Sequence, residues 1–164
     1  MAPRYWLLKS EPQVFSIDDL QREGRTGWGG VRNYQARNFM RDEMKEGDLA
    51  LFYHSNATPP GVAGLARVVG TPAADPSQFD PKSPYFDATS SKASPRWVMA
   101  TVAFVERFDL VPLEVLKADP ALAGMVLLQK GQRLSVQPVS PSHFARVLKL
   151  AKAKFKVTRR DNHP

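Results

Sequence analysis

The run RWVMATVAFVERF at residues 96–108 places apolar side chains on both of its alternating faces, with Val98, Ala100, Val102 and Phe104 opposite Trp97, Met99, Thr101, Ala103 and Val105. A strand of this kind is dry on both sides, so the chain has to cover it twice, as in a small barrel packed outside by helices. RYWLLK, residues 4–9, has the same two-sided character and is stopped by the proline of KSEP. In DLALFYHS, residues 48–55, Leu49, Leu51, Tyr53 and Ser55 alternate with Ala50, Phe52 and His54, so both faces begin apolar and end polar. GVAGLARVVG (61–70) adds a small-residue strand, and GQRLSVQPV (131–139) a last one.

Helices lie between these strands. Ser16, followed by Asp18 and Asp19, reads as an N-cap with an acidic first turn, Ile17 and Leu20 supply the apolar face, and Gly24 ends the helix. Glycines 24, 27, 29 and 30 crowd Arg25, Thr26 and Trp28, so residues 24–30 are expected to be irregular. Asn33 then caps a helix from Tyr34 to about Met44, with Phe39, Met40 and Met44 inward. Prolines 72, 76, 81, 84 and 95 make residues 71–95 a long connection without a helix, and long loops inside a compact domain are commonly functional. Pro112 opens a short helix through Lys117, and Ser140-Pro141-Ser142 opens a final one with Phe144, Val147, Leu148 and Ala151 at helical spacing. Strands dispersed among helices, with few clean βαβ units, indicate an α+β fold, and 164 residues suit one domain.

Composition removes several classes of function. No run of about 20 apolar residues is present, and no charged, apolar and small-residue leader precedes the first strand, so neither membrane spanning nor secretion is expected. Zero cysteines exclude disulfides and thiolate chemistry and point to a cytoplasmic protein. Of the 23 Lys and Arg residues, Arg146, Lys149, Lys152, Lys154, Lys156, Arg159 and Arg160 fall after residue 144 against the single acid Asp161, which leaves the rest nearly neutral. Such a terminus is either a phosphate-binding arm or a solvated end, and composition leaves both open.

Enzymatic and metal signatures are missing: there is no GxSxG, Walker A, HExxH or DxDxDG, and His54, His143 and His163 are too far apart for a local metal motif. His54, at the polar end of its strand, reads as an orienting group for a ligand. Trp28 has no apolar periodicity around it, so its ring is either a stacking plate held on a loop or a lid over the barrel end. Asn33, Gln35, Arg37 and Asn38 offer donors suited to a base edge or a phosphate, although a solvated helix face explains Arg37 and Asn38 equally well.

WLLKSEP, GVRNYQARNFM, GDLALFYHS with GVAGLARVVG, DPSQFDPKSPYFD, PRWVMATV, PLEVLK and RLSVQPV, in that order over residues 4–150, together resemble the EVE domain. The resemblance implies a single PUA-like domain over residues 1–151, a mixed β-barrel flanked by helices, followed by a basic tail at 152–164. It also implies kinship with YTH domains, which read methylated adenine in RNA, and more remotely with SRA-type readers of modified cytosine in DNA. By that resemblance the chain is a monomeric, non-enzymatic module without cofactor or metal, whose partner is DNA or RNA carrying a modified base. The implied base pocket comprises Lys9, Ser10, Trp28, Asn33, Tyr53, His54, Ser55, Leu134 and Ser135, with a second ring from Tyr53 or from Tyr85 and Phe86. Phosphate contacts are expected from Arg32, Arg37, Lys152, Lys154, Lys156, Arg159 and Arg160. Two rivals remain: an enzyme acting on a modified nucleotide or RNA with His54 in acid/base work, and a scaffold recruiting a protein through the proline-rich loop.

Overall fold

Six strands form one mixed sheet: β1 (Tyr5–Ser10), β2 (Arg25–Trp28), β3 (Leu49–His54), β4 (Gly61–Ala74), β5 (Val98–Pro112) and β6 (Val136–Val139). The computed structural model describes residues 4–157. Their order is β2-β5-β4-β3-β1-β6, with β1 and β3 parallel and the other neighbours antiparallel. Four α-helices flank it: α1 (Ile17–Glu23), α2 (Tyr34–Asn38), α3 (Leu113–Ala118) and α4 (Pro141–Leu150). This is the α+β architecture expected from the sequence. Among the described residues the end strands β2 and β6 are not paired with each other, so the sheet stays open where a closed barrel was expected.

The period of two along each strand sorts the core into two clusters. Tyr5 and Leu7 of β1 and Leu49, Leu51 and Tyr53 of β3 enter one, which α3 and α4 cover with Leu116, Phe144, Val147 and Leu148. Trp6, Leu8, Ala50 and Phe52 enter the other, covered by Ile17 and Leu20 of α1 and by Ala36, Met40 and Met44. The register Tyr5↔Leu49 through Ser10↔His54 keeps this alternation in phase across both strands.

Helix ends follow their local chemistry. Ser16 and Asp19 form a reciprocal capping box on α1, and Gly24, at φ +84°, closes it by donating to the Leu20 carbonyl. Asn33 Oδ1 accepts from Ala36 N at 3.0 Å, and a π-helical turn, Phe39–Glu43, carries the chain from α2 to Met44.

Three sequence expectations are corrected. Residues 25–28 are not irregular: β2 pairs with β5, and a Cβ at Gly27 would stand 2.8 Å from Met99 Sδ, so that the Met99 side chain would have to shift. At Gly27 the glycine accompanies close approach to a neighbouring strand rather than loss of structure. The connection after Gly70 continues β4 to Ala74 and then makes a 3₁₀ turn, Pro76–Phe79, where no helix was expected. The last strand is confined to Val136–Val139, short of the 131–139 run. Residues 152–157, the first part of the basic stretch, pack against the domain. Lys154 N and Phe155 N donate to the Glu106 carboxylate at 2.8 and 2.9 Å, and Ala153, Phe155 and Val157 pack on the α4-side cluster. Arg159 and Arg160 lie outside the described residues.

Candidate functional site

The ends of β1 and β2, the turn at residues 29–33 and the turn preceding β6 surround a cleft of about 870 Å³, within the usual range for ligand sites. Trp28 forms part of its lining although only 7% exposed. Its ring meets Phe52 edge-to-face at 5.4 Å and Phe15 at 6.5 Å, so it is both core and cleft surface rather than a ring on a loop.

One wall is built on a buried carboxylate. Asp75 accepts from Gly30 N at 2.7 Å and Arg32 Nη1 at 3.1 Å through Oδ2, and from Ser77 N and Ser77 Oγ at 2.9 and 2.6 Å through Oδ1. Burial pushes its pKa up, but the hydrogen bonds from Ser77, Gly30 and Arg32 outweigh burial and hold it below the usual carboxylate value. Gly30, at φ +76°, lies so close to Tyr85 that a Cβ would stand 3.0 Å from its ring. Behind this wall Gln78, fully buried, donates to the carbonyls of Asp75 and Trp97 and accepts from Ser90 Oγ, Arg96 N and Trp97 N. Asp87 accepts from Trp97 Nε1 at 2.8 Å, and bonds from Thr89 and Trp97 hold its pKa down to about 2. The proline-rich connection is therefore fixed by inward-facing polar groups.

Of the residues expected to form the pocket, Lys9, Ser10, Trp28, Asn33, Ser55 and Ser135 line the cleft, whereas Tyr53, His54 and Leu134 do not. Tyr53 follows Leu49 and Leu51 onto the opposite face of the sheet and is buried there. Leu134 is core on the cleft side. His54 Nε2 accepts from Ile17 N at 3.1 Å at the start of α1, a role that requires a neutral ring, and burial lowers its pKa accordingly. Lys9, also lowered by burial, has its ammonium 5.9 Å from the Tyr53 ring centroid.

Two of the expected phosphate ligands, Arg32 and Arg37, are committed to protein partners. Arg32 binds Asp75, Ser77 Oγ and the carbonyls of Val31 and Tyr85, and lies over the Tyr85 and Trp97 rings. Arg37 binds the Arg96 carbonyl and Asn38 Oδ1 and covers the Tyr34 ring, which itself stacks on Trp97 at 4.7 Å. Both guanidiniums are clamps of the wall. Three residues absent from the expected site matter here: Asp75, Gln78 and Arg133. The Asp75-Pro76-Ser77 turn, in which the aspartate side chain accepts from Ser77 N, carries a recognisable local signal for the first. Arg133 lines the cleft, exposed and without a hydrogen bond or ion pair among the described residues, and nothing in its neighbourhood in sequence marks it.

No group of three or more His, Cys, Asp or Glu among the described residues could hold a metal ion, and no described helix is long and apolar enough to cross a membrane.

The EVE domain model matches residues 4–150. Thymocyte nuclear protein 1 of Homo sapiens is 43% identical over 166 residues, covering 89% of this chain and 73% of that protein. A hypothetical protein of Leishmania major superposes with a TM-score of 0.87 at 48% identity, covering 92% of this chain and 95% of that one. Human THYN1 protein, solved in complex with 5-methylcytosine containing DNA, superposes with a TM-score of 0.85 at 41% identity over 93% of this chain and 99% of that one. The Mmi1 YTH domain shares the fold at a TM-score of 0.55 and 11% identity. With the family model spanning nearly all of it and relatives above 40% identity over about nine-tenths of its length, the chain belongs to the EVE domain family.

Proposed function

We propose that this protein binds nucleic acid and takes an unpaired, modified base into the cleft, with DNA bearing 5-methylcytosine as the first candidate, and that it does so as a monomer without chemistry on the base. The observation that carries this reading is the set of unspent polar groups at the cleft. The amide nitrogen of Asn33, the hydroxyls of Ser55 and Ser135 and the guanidinium of Arg133 make no hydrogen bond among the described residues, beside a core tryptophan. Unspent donors next to an aromatic surface suit a base edge and an adjacent phosphate. The complex of human THYN1 with 5-methylcytosine containing DNA supports the choice of ligand. His54 Nε2 accepts from Ile17 N and His54 does not line the cleft, which supports the binding reading over the enzymatic one.

Fluorescence anisotropy with short single strands and duplexes, DNA and RNA, each with and without one modified base, tests the reading. Burying one methyl group is worth about 0.8 kcal/mol, so methylated DNA should bind about fourfold tighter than its plain counterpart. Equal affinity for all modified and plain strands would overturn it.

A further inference from the structure

The loop between β1 and α1 presents an unusual tip to the cleft. Val14 is the most exposed large hydrophobic residue described, at 71%, and it lines the cleft. A lone exposed valine needs no explanation. What distinguishes Val14 is the stiffness of the turn that holds it out. Glu11 O accepts from both Val14 N and Phe15 N at 2.9 Å, and Ser10 Oγ donates to Phe15 O at 2.6 Å. The next side chain, Phe15, is anchored against Trp28 and Phe52. The chain therefore turns Phe15, partly buried, against the core and holds Val14 outward. Glu11, whose charge would repel a phosphate, has its Oε1 bonded by Asn56 Nδ2 at 3.3 Å.

We infer that Val14 is a wedge that enters a nucleic-acid duplex at the step vacated by the base that the cleft receives. This rests on the function proposed above and goes beyond it, since a pocket that reads a base edge can act on a single strand with no wedge at all. In a duplex, extrusion leaves a gap in the stack, and an apolar side chain on a rigid support fills that gap and slows the base's return. The occupant is the stacked duplex of a polyanion, in keeping with Lys9 and the unpartnered Arg133 at the same cleft. Tyr85 and Phe86, 43% and 42% exposed in the loop whose Tyr85 lines the same cleft, give the duplex a further apolar edge to rest on.

The test compares the full chain with Val14→Ala and Val14→Phe on a methylated duplex and on the same methylated strand alone, with 2-aminopurine next to the modified base as the reporter of unstacking. Val14→Ala removes two methyl groups and should weaken duplex binding about tenfold, the worth of burying them, with single-strand affinity unchanged and the duplex 2-aminopurine signal reduced. Val14→Phe should restore or exceed the wild-type duplex signal. Equal weakening on strand and duplex, or no change on either, would overturn the wedge while leaving the base-reading function standing. Equal affinity of the wild-type chain for methylated and plain DNA, strand and duplex alike, would remove the parent reading and the wedge with it.

Discussion

The two faces of the sheet are closed by different physics. On the α4 side the cover is mainly apolar: Phe144 stacks on Tyr5 at 4.2 Å, and Leu116, Val147, Leu148 and the strap at residues 153–157, tied to the Glu106 carboxylate, complete the seal. On the other side α1 and α2 cover most of the cluster, but at the strand ends the apolar cover stops and a polar wall stands beside Trp28. Apolar burial is non-directional and closes whatever gap it is given. Hydrogen bonds have direction, and a buried carboxylate with four donors around it cannot move inward without losing them. The contrast explains how a cleft persists next to a hydrophobic core: its wall is hung from Asp75 and Gln78 rather than packed.

The largest effects should come from deleting one aromatic ring on each face. Phe144→Ala and Trp28→Ala should each cost about 3–5 kcal/mol of stability, read from denaturant midpoints, because both rings are buried. Only Trp28→Ala should also weaken oligonucleotide binding, by about 1–3 kcal/mol if the ring stacks on a base, measured at a temperature where both variants are folded. The milder pair Phe144→Leu and Trp28→Phe keeps the comparison available if either truncation unfolds the chain. Equal loss of binding from both faces would erase the distinction drawn between them.

The wall comes next. Asp75→Asn keeps the shape of the carboxylate but leaves Arg32 without its counter-charge. The expected cost is about 3 kcal/mol, the low end for breaking a buried pair because the arginine side chain remains 22% exposed. Asp75 also predicts a pH dependence. Its folded pKa is depressed, so its contribution is fully present above the ordinary carboxylate value of 3.8 and is lost as pH falls through the lower folded value. The substitution should therefore lower the midpoint at neutral pH and flatten its decline in acid. A midpoint that tracks the wild type at every pH would show that the wall does not depend on this charge.

These features differ in how far the sequence reveals them. Period-two alternation in residues 4–9 and 48–55 is local, so the two-sided sheet was legible from the chain alone, as were the caps at Ser16, Gly24 and Asn33. The same alternation, followed strictly, places Tyr53 with Leu49 and Leu51 and so away from the cleft. Trp28 was misplaced on a loop because β2 is made by pairing with Ala100 to Ala103, far along the chain, while its own neighbours are glycines. Arg32 and Arg37 looked like free cations because their partners Asp75, Ser77, Tyr85 and Arg96 lie 43 to 59 residues away. Spacing within a motif cannot report such commitments; only the fold does.

The smallest effect separates a committed arginine from an uncommitted one. Arg133→Ala should leave the denaturant midpoint unchanged, since the side chain is exposed and makes no bond among the described residues. If it lies on a phosphate, its loss should reduce the slope of log affinity against log salt by about 0.7 on single strands and about 0.9 on duplex. Preference for the methylated base should survive, because phosphate contacts position and base contacts specify. Arg37→Ala should do the reverse. It breaks the bond to the Arg96 carbonyl and uncovers Tyr34, costing about 1 kcal/mol of stability, and it should leave the salt slope where it was because its guanidinium is already held by protein. If both variants flattened the slope alike, Arg37 would be reaching phosphate in spite of its partners, and the division between wall and contact surface would have to be redrawn around Tyr34 and Trp97.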